Sequence, residues 1–328
     1  MKVYSIVNNS YKINAYKGNI HLTSFMGTDE VNIQKPKSQK ATLTQKITAS
    51  LAKIKSDKYV KLSKDLLHES DQIKTKATSI LMQAQEVQQI SKELLDANSE
   101  ALSNNRVPRS QALIVYDCCP DDKKTDAYVF DTKTRVLKQY MKNVNMNDSC
   151  TNADECYTFD ENGKLVAYDS FFVETEAGCS TYAKSFERYL FNDGDIRQYY
   201  SQYNETIDKT ISFDDVLMFD QGEPLYYVEN GYIDTPDNVK TFGLQMVFDN
   251  EQIKLCSNGL KVYPDGGQEC RKHFVYSNGK LEQVQFDAQM INSESVSSRQ
   301  AFEFVDDKPY CCRINDDSGN ETVTYFKK

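Results

Sequence analysis

The stretch Tyr157-Thr158-Phe159-Asp160-Glu161-Asn162-Gly163-Lys164-Leu165-Val166-Ala167-Tyr168 decides how the chain is read. Tyr157 and Phe159 stand two apart, so on a strand they share a face and bury together. Asp160 to Gly163 is a polar turn, and Asn-Gly supplies the positive φ angles that a tight hairpin requires. Lys164 to Tyr168 then runs back antiparallel. Outward from this unit, the pattern returns. Aromatic anchors fall at near-constant intervals: Phe130, Phe159, Phe191, Phe219, Phe248, Tyr276 and Phe304. Two positions before them stand Tyr128, Tyr157, Tyr189, Leu217, Met246, Phe274 and Phe302. Five or six positions after them stand Val136, Leu165, Ile196, Leu225, Ile253, Leu281 and Tyr310. Turns at Asn192-Asp193-Gly194-Asp195, Asp220-Gln221-Gly222 and Ser277-Asn278-Gly279 punctuate the third, fourth and sixth units.

One hairpin is marginal in water, whereas hairpins in series support one another. The repetition therefore predicts an antiparallel β-meander of about seven hairpin repeats, period 28-29, over residues 112-328. Ala112 to Tyr116 opens it, and Thr322 to Phe326 closes it across Asp317-Ser318-Gly319. Its apolar face needs a cover: the sheet curls on itself, the preceding segment lies across it, or both.

Upstream the physics changes near Pro108. Only five of 37 aromatic residues and none of nine cysteines precede it. Residues 1–108 hold 16 Lys/Arg against 10 Asp/Glu, and the remainder 23 against 38, within a net charge of −9 over 328 residues. Residues 1-40, rich in Asn, Ser, Thr and Lys and ending in Lys35-Pro36-Lys37, are read as a disordered basic arm. Residues 41-104 lack Pro and Gly, and apolar residues recur at three- and four-residue steps: Leu43, Ile47, Leu51, Ile54, Leu62, Leu66, Ile73, Ile80, Ala84, Val87, Leu94. That narrow seam predicts long helices, coiled-coil-like or in a helical hairpin, with breaks around Ser56-Asp57-Lys58 and Glu69-Ser70-Asp71. The seam needs a partner: itself folded back, a second copy through self-association of residues 41-104, or the domain that follows. Residues 105-111 read as a linker. The fold class expected is α+β.

At Tyr157 to Leu165 the chain resembles the tyrosine–aspartate (YD/Rhs-like) repeats of large bacterial shell and adhesion proteins, which run aromatic-x-aromatic-Asp-x-x-Gly-basic-Leu. At Tyr276 to Leu281 it is similar to MORN-variant repeats of some bacterial antitoxin-type proteins. The resemblance covers the turns of four units. Phe130-Asp131-Thr132-Lys133 and Phe304-Val305-Asp306-Asp307 lack the glycine. It implies a binding or shell-like surface and brings no catalytic residues.

The chemistry-bearing residues are read as structural. Nine cysteines include no Cys-x-x-Cys, which argues against a zinc ribbon or redox pair. The vicinal pairs Cys118-Cys119 and Cys311-Cys312 are expected to put one thiol in the core and one outside, in a reducing compartment. A disulfide from Cys150 to Cys156 or a thiol sensor is the alternative. His21, His68 and His273 lie far apart in sequence, each solvated or half-buried. Asp160-x-Asn162-x-Lys164 places a cation where an oxygen ligand for calcium belongs, so turn geometry explains those acids better. Asn204-Glu205-Thr206 and Asn320-Glu321-Thr322 fit a glycosylation sequon, of no weight without a signal peptide. No catalytic, cofactor-binding or metal residues, and no cofactor, are assigned.

From Met1 to Lys64 the chain carries 12 Lys, no Arg and three acids. Base readout favours Arg, so no sequence-specific nucleic-acid binding is expected. A solvated face, docking onto the acidic repeats, and an external anionic surface follow in that order. No apolar run approaches a bilayer span, so no transmembrane segment is expected. The N-terminus is too short in apolar residues for a Sec signal, which places the protein in the cytoplasm or on an export route without a cleaved signal. The function expected is a non-enzymatic interaction or scaffold protein whose helical region presents an acidic, Tyr-rich β-repeat surface to a protein partner not named by the sequence. The alternatives are a bacterial immunity or effector protein of a conflict system, and a glycan-binding or hydrolytic module using carboxylates in the concave face of the sheet.

Overall fold

The computed structural model describes residues 43–103, 113–118, 125–131, 133–146, 150–175, 181–233, 239–291, 294–315 and 319–326. The 1-40 arm and the 105-111 linker lie outside the described residues. The described residues divide at Ile47/Thr48, and those from Thr48 onward form one compact unit. That unit carries the architecture.

The expectation of several long helices in an α+β fold is corrected. Among the described residues there is one helix, α1, which runs unbroken over Leu43–Ser103 and lies on a large antiparallel sheet, so the protein is mostly β. The expected breaks fall at seam positions occupied by serine. Ser56 and Ser70 are buried, but each hydroxyl donates to the carbonyl three residues back, Lys53 and Leu67, at 2.7 Å. A polar seam residue satisfied inside its own helix does not break it.

Burial on α1 alternates strictly by three and four: Ser63, Leu66, Ser70, Ile73, Ala77, Ile80, Ala84, Val87, Ser91. Sorted by sevens, one column is small (Ser56, Ser63, Ser70, Ala77, Ala84, Ser91) and the other large (Tyr59, Leu66, Ile73, Ile80, Val87, Leu94). The large column joins the main apolar core with the sheet, at about 1.5–3 kcal/mol for each fully buried aliphatic side chain. The small column leaves room for the sheet's rings. Leu51 and Ile54, expected in the seam, are 55% and 65% exposed; Ala52 packs there instead.

The strands begin with β1 Leu113–Cys118, β2 Thr125–Phe130, β3 Leu137–Lys142, β4 Asn145–Met146, β5 Cys150–Phe159 and β6 Leu165–Thr175. Next come β7 Thr181–Asn192, β8 Asp195–Thr206, β9 Ile211–Asp220, β10 Glu223–Ile233, β11 Lys240–Asp249 and β12 Gln252–Val262. The series ends with β13 Gly267–Ser277, β14 Lys280–Ile291, β15 Glu294–Ser297, β16 Gln300–Val305, β17 Lys308–Asn315 and β18 Glu321–Tyr325. Apart from the short β4 and β15, each pairs antiparallel with the next in sequence. A β-hairpin repeat-like meander results. All seven anchors are buried in the helix-facing core.

The third column of the pattern is corrected at three units. A register shift recurs beside the turn of each of the seven anchor hairpins, for example at Thr158/Phe159 and Pro224/Tyr226. It inserts one extra residue into the returning strand and strengthens the local twist. The anchors therefore face Leu137, Pro224 and Pro309, one residue from the expected Val136, Leu225 and Tyr310. In the other four units Leu165, Ile196, Ile253 and Leu281 face them. Asp193/Gly194, Gln221/Gly222, Asn250/Glu251, Asn278/Gly279 and Asp306/Asp307 all have positive φ, the signature of type I′ turns.

A second irregularity repeats mid-strand. Asn143, Phe171, Gln202, Asn230, Gly259 and Asp287 have left-handed φ between 48° and 64°, one in each successive hairpin. At each of them the strand reverses its faces. Tyr200 and Tyr203, three apart, stack at 5.4 Å, and Met141 and Val144 share one cluster; in a regular strand such residues oppose each other. Beyond these reversals, side chains from the far ends of the strands join three smaller clusters, around Phe172, Phe213 and Leu260.

Helix and sheet are matched in pitch. Tyr59 packs on Phe286 and Phe302 with centroids at 5.1 and 5.2 Å. Lys76 reaches Asp215, Gln83 meets Tyr189, Gln88 donates to the Gly194 carbonyl, and Leu95 lies against Gly163. Seven helical residues rise about 10.5 Å, close to the two strand spacings of one hairpin, about 9.6 Å.

Candidate functional site: a tyrosine–carboxylate row under the helix

The bulges and type I′ turns set every hairpin in one register, so a single straight row crosses the helix-facing side. Tyr128, Tyr140, Tyr157, Tyr168, Tyr189 and Tyr199 face one another strand by strand. Their ring centroids are spaced at 5.0, 5.8, 4.9, 5.6 and 5.1 Å. The row continues through Leu217, Tyr227, Met246, Cys256, Phe274, Val284, Phe302 and Cys312.

Two residues farther from the turns runs a parallel line of acids, Asp126, Glu155, Glu187, Asp215 and Glu229, and the phenols donate into it. Tyr140 bonds Asp126 at 2.8 Å, Tyr157 bonds Glu155 at 2.9 Å, Tyr199 bonds Glu187 at 2.9 Å, and Tyr227 bonds Asp215 at 2.7 Å. Lys142 pairs with the second oxygen of Glu155 at 2.7 Å. From the helix, Lys76 takes the second oxygen of Asp215 at 2.6 Å. Burial first, then the neighbouring acids, pushes these phenols above their ordinary range. They stay protonated donors. Burial, and then Glu229, raises the Glu69 carboxyl on α1.

The carboxylates lie on the helix-covered side, and the phenols and ammonium groups occupy Asp126, Glu155, Glu187 and Asp215. Among the described residues no three His, Cys, Asp or Glu side chains gather to hold a metal ion. Lys76, outside the basic run from Met1 to Lys64, makes an ion pair between helix and sheet. The ladder tyrosines are core, contrary to a Tyr-rich surface: Tyr157 and Tyr189 are each 1% exposed.

The opposite face carries polar residues that no pattern announced. His273, expected to be solvated or half-buried, is buried, its Nδ1 2.9 Å from the Ser257 hydroxyl. Burial lowers it to about 4. A serine–histidine pair has the residue types of nucleophilic catalysis, but both side chains are sealed inside. Arg188 stands 3.7 Å from the buried Asp169, whose carboxyl burial pushes up against the pull of that guanidinium.

Of the other candidates, His68 is exposed beside Gln72, and His21 lies outside the described residues. Cys156 is a free, buried thiol, which corrects the Cys150 to Cys156 disulfide. Cys311 and Cys312 are both buried, not one inside and one out: Cys312 faces the helix and Cys311 bonds Glu303 at 3.1 Å. Cys118 ends β1, and Cys119 lies outside the described residues. Asp160 Oδ1 accepts from the amides of Asn162 and Lys164, each at 2.8 Å, so this acid is spent on its turn.

No helix of the described residues is long and apolar enough to cross a membrane. No protein-family model and no curated protein matches the chain. A comparison with solved structures returns a mutant of S. aureus TarM in complex with fondaparinux, α-GlcNAc-glycerol and UDP. The identity is 15% over 48% of this chain and 23% of that one, with a TM-score of 0.16. A likeness this slight carries no argument about fold or function.

Proposed function

We propose that the protein is a non-enzymatic interaction scaffold in which α1 braces a repeat sheet that presents an acidic surface to a protein partner. One observation supports this above the others. Where the strands bend, the left-handed residues and their cross-strand neighbours form a ridge at a regular hairpin pitch: Asn143/Asp154, Gln202/Asp214, Asn230/Gly243, Gly259/Arg271 and Asp287/Arg299. Serially repeated units make extended surfaces of this kind, suited to long partners. The acidic excess beyond residue 108 favours a partner rich in Lys and Arg and speeds its encounter.

The test is site-specific photo-crosslinking of the full-length chain. A crosslinker replaces Gln202 on the ridge or Asn278 in a distant turn. A discrete, salt-sensitive protein adduct from position 202 and none from 278 is expected. Equal labelling from both positions, or none from the ridge, overturns the proposal.

A further inference from the structure

Along the ridge the left-handed position is filled by Asn143, Gln202, Asn230, Gly259 and Asp287, four of them residues that tolerate such φ, and once by Phe171, at φ 48°. A bulky aromatic there costs about 1–2 kcal/mol of backbone strain. Its cross-strand neighbour also departs from the series. The residues facing the other five are Asp154, Asp214, Gly243, Arg271 and Arg299, whereas Phe171 faces Phe186. The two rings meet edge-on at 6.2 Å and remain 66% and 52% exposed. Neither strain nor exposure is recovered in packing.

Beside the pair lies an open cleft of about 250 Å³ lined further by Lys184, Ser185, Gln202, Tyr203 and Asn204. Its polar side chains are two carboxamides, which both donate and accept, one ammonium group and two hydroxyls, of which the Tyr203 phenol already donates to Glu205. Ser185 is the most buried lining residue and lies next to the Asp169 carboxyl. The apolar surface ends one strand to either side, at Asn143/Asp154 and Gln202/Asp214. A stable protein interface needs about 800 Å² per partner, far more than two rings provide. A ligand one ring wide, apolar on its face and hydroxylated around its rim, matches the cleft.

We propose that Phe171 and Phe186 form a saccharide-binding subsite: a sugar ring stacks its C–H face on the exposed phenyl rings while Gln202, Asn204 and Lys184 bond its hydroxyls. The subsite deepens the reading of the ridge as a binding surface and is tested separately from it.

The experiment titrates cellotetraose, maltotetraose and chitotetraose into the full chain by calorimetry. It is repeated on Phe171→Asn/Phe186→Asp, which copies the Asn143/Asp154 pair and so preserves the fold. At least one tetrasaccharide binds the parent chain, and the double variant weakens it roughly tenfold or more. Phe171→Asn alone raises the melting temperature by releasing the backbone strain. No binding by any of the three, or equal binding by the double variant, overturns the subsite. Crosslinking from position 202 that persists without sugar binding removes the subsite and leaves the scaffold reading standing. Loss of that crosslinking in the double variant, with no sugar bound to the parent, makes the pair a protein contact and also overturns the subsite.

Discussion

The two halves of the helix-facing row share one backbone but not one chemistry. From Tyr128 to Tyr199 every member is a tyrosine, whereas from Met246 to Cys312 the members are Met, Cys, Phe and Val. The neighbouring line changes in step: Asp126, Glu155, Glu187 and Asp215 beside the phenols become Leu244, Asn258, Lys272 and Phe286 beside the apolar members. A buried phenol requires an acceptor, and an acid beside a ring requires a donor. Four of the phenols bond a carboxylate of that line, and Tyr189 bonds Gln83 of the helix instead. What a sequence-level view takes as surface chemistry, acids and tyrosines in abundance, is here one internal hydrogen-bond system.

Truncation should hit the apolar half hardest. Phe302→Ala removes a fully buried ring that touches Tyr59 of the helix and is expected to cost about 3–5 kcal/mol in urea unfolding. A loss below about 1 kcal/mol would mean that the helix contact is loose.

The halves should also fail at opposite ends of the pH scale. His273, in the apolar half, stays neutral in the fold down to about pH 4. Below its ordinary value near 6.5 the unfolded chain takes up a proton that the folded chain refuses, so stability falls between those two pH values by about 3 kcal/mol. His273→Gln flattens this acid limb. The tyrosines behave conversely: their phenols are raised, so above pH 10 the unfolded chain ionises first and stability drops as pH rises. Hydrogen exchange at high pH should open β2 to β8 before β12 to β16, and uniform opening would contradict the division.

Exchanging the two chemistries gives smaller effects. Phe274→Tyr brings a hydroxyl into the part of the row whose neighbouring line is Leu244, Asn258, Lys272 and Phe286, and should cost about 1–3 kcal/mol. The reverse change, Tyr157→Phe, leaves Glu155 still paired with Lys142 and should cost about 1 kcal/mol. Equal costs would show that the acids, not the rings, define the halves.

Much of this fold was legible in the sequence because hairpin turns have local chemistry. Asn-Gly and Asp-Gly mark left-handed backbone, and the anchors Phe130 to Phe304 sit in the core as their spacing requires. The extra residue beside each turn was hidden, since a bulge depends on the partner strand, and that hid Leu137, Pro224 and Pro309. The reversals at Phe171 and Gln202 were hidden for the same reason, and with them the exposure of Phe186. The helix misled in a different way. Its seam is half serine and alanine, so a search for large apolar residues selected Leu51 and Ile54, which face solvent. The candidate row was visible only as composition: nothing in the numbering places Glu187 beside the hydroxyl of Tyr199.

The agreement in pitch between α1 and the meander restricts how such a protein can change size. A hairpin added alone would run past the end of its brace, and a heptad added alone would leave a seam with nothing beneath it. Growth or loss is therefore quantised: one whole hairpin of sheet together with one heptad of helix, inserted at two distant points of the chain. Relatives of different length should differ by that paired increment, and a gene encoding only one member of the pair should yield an unstable product.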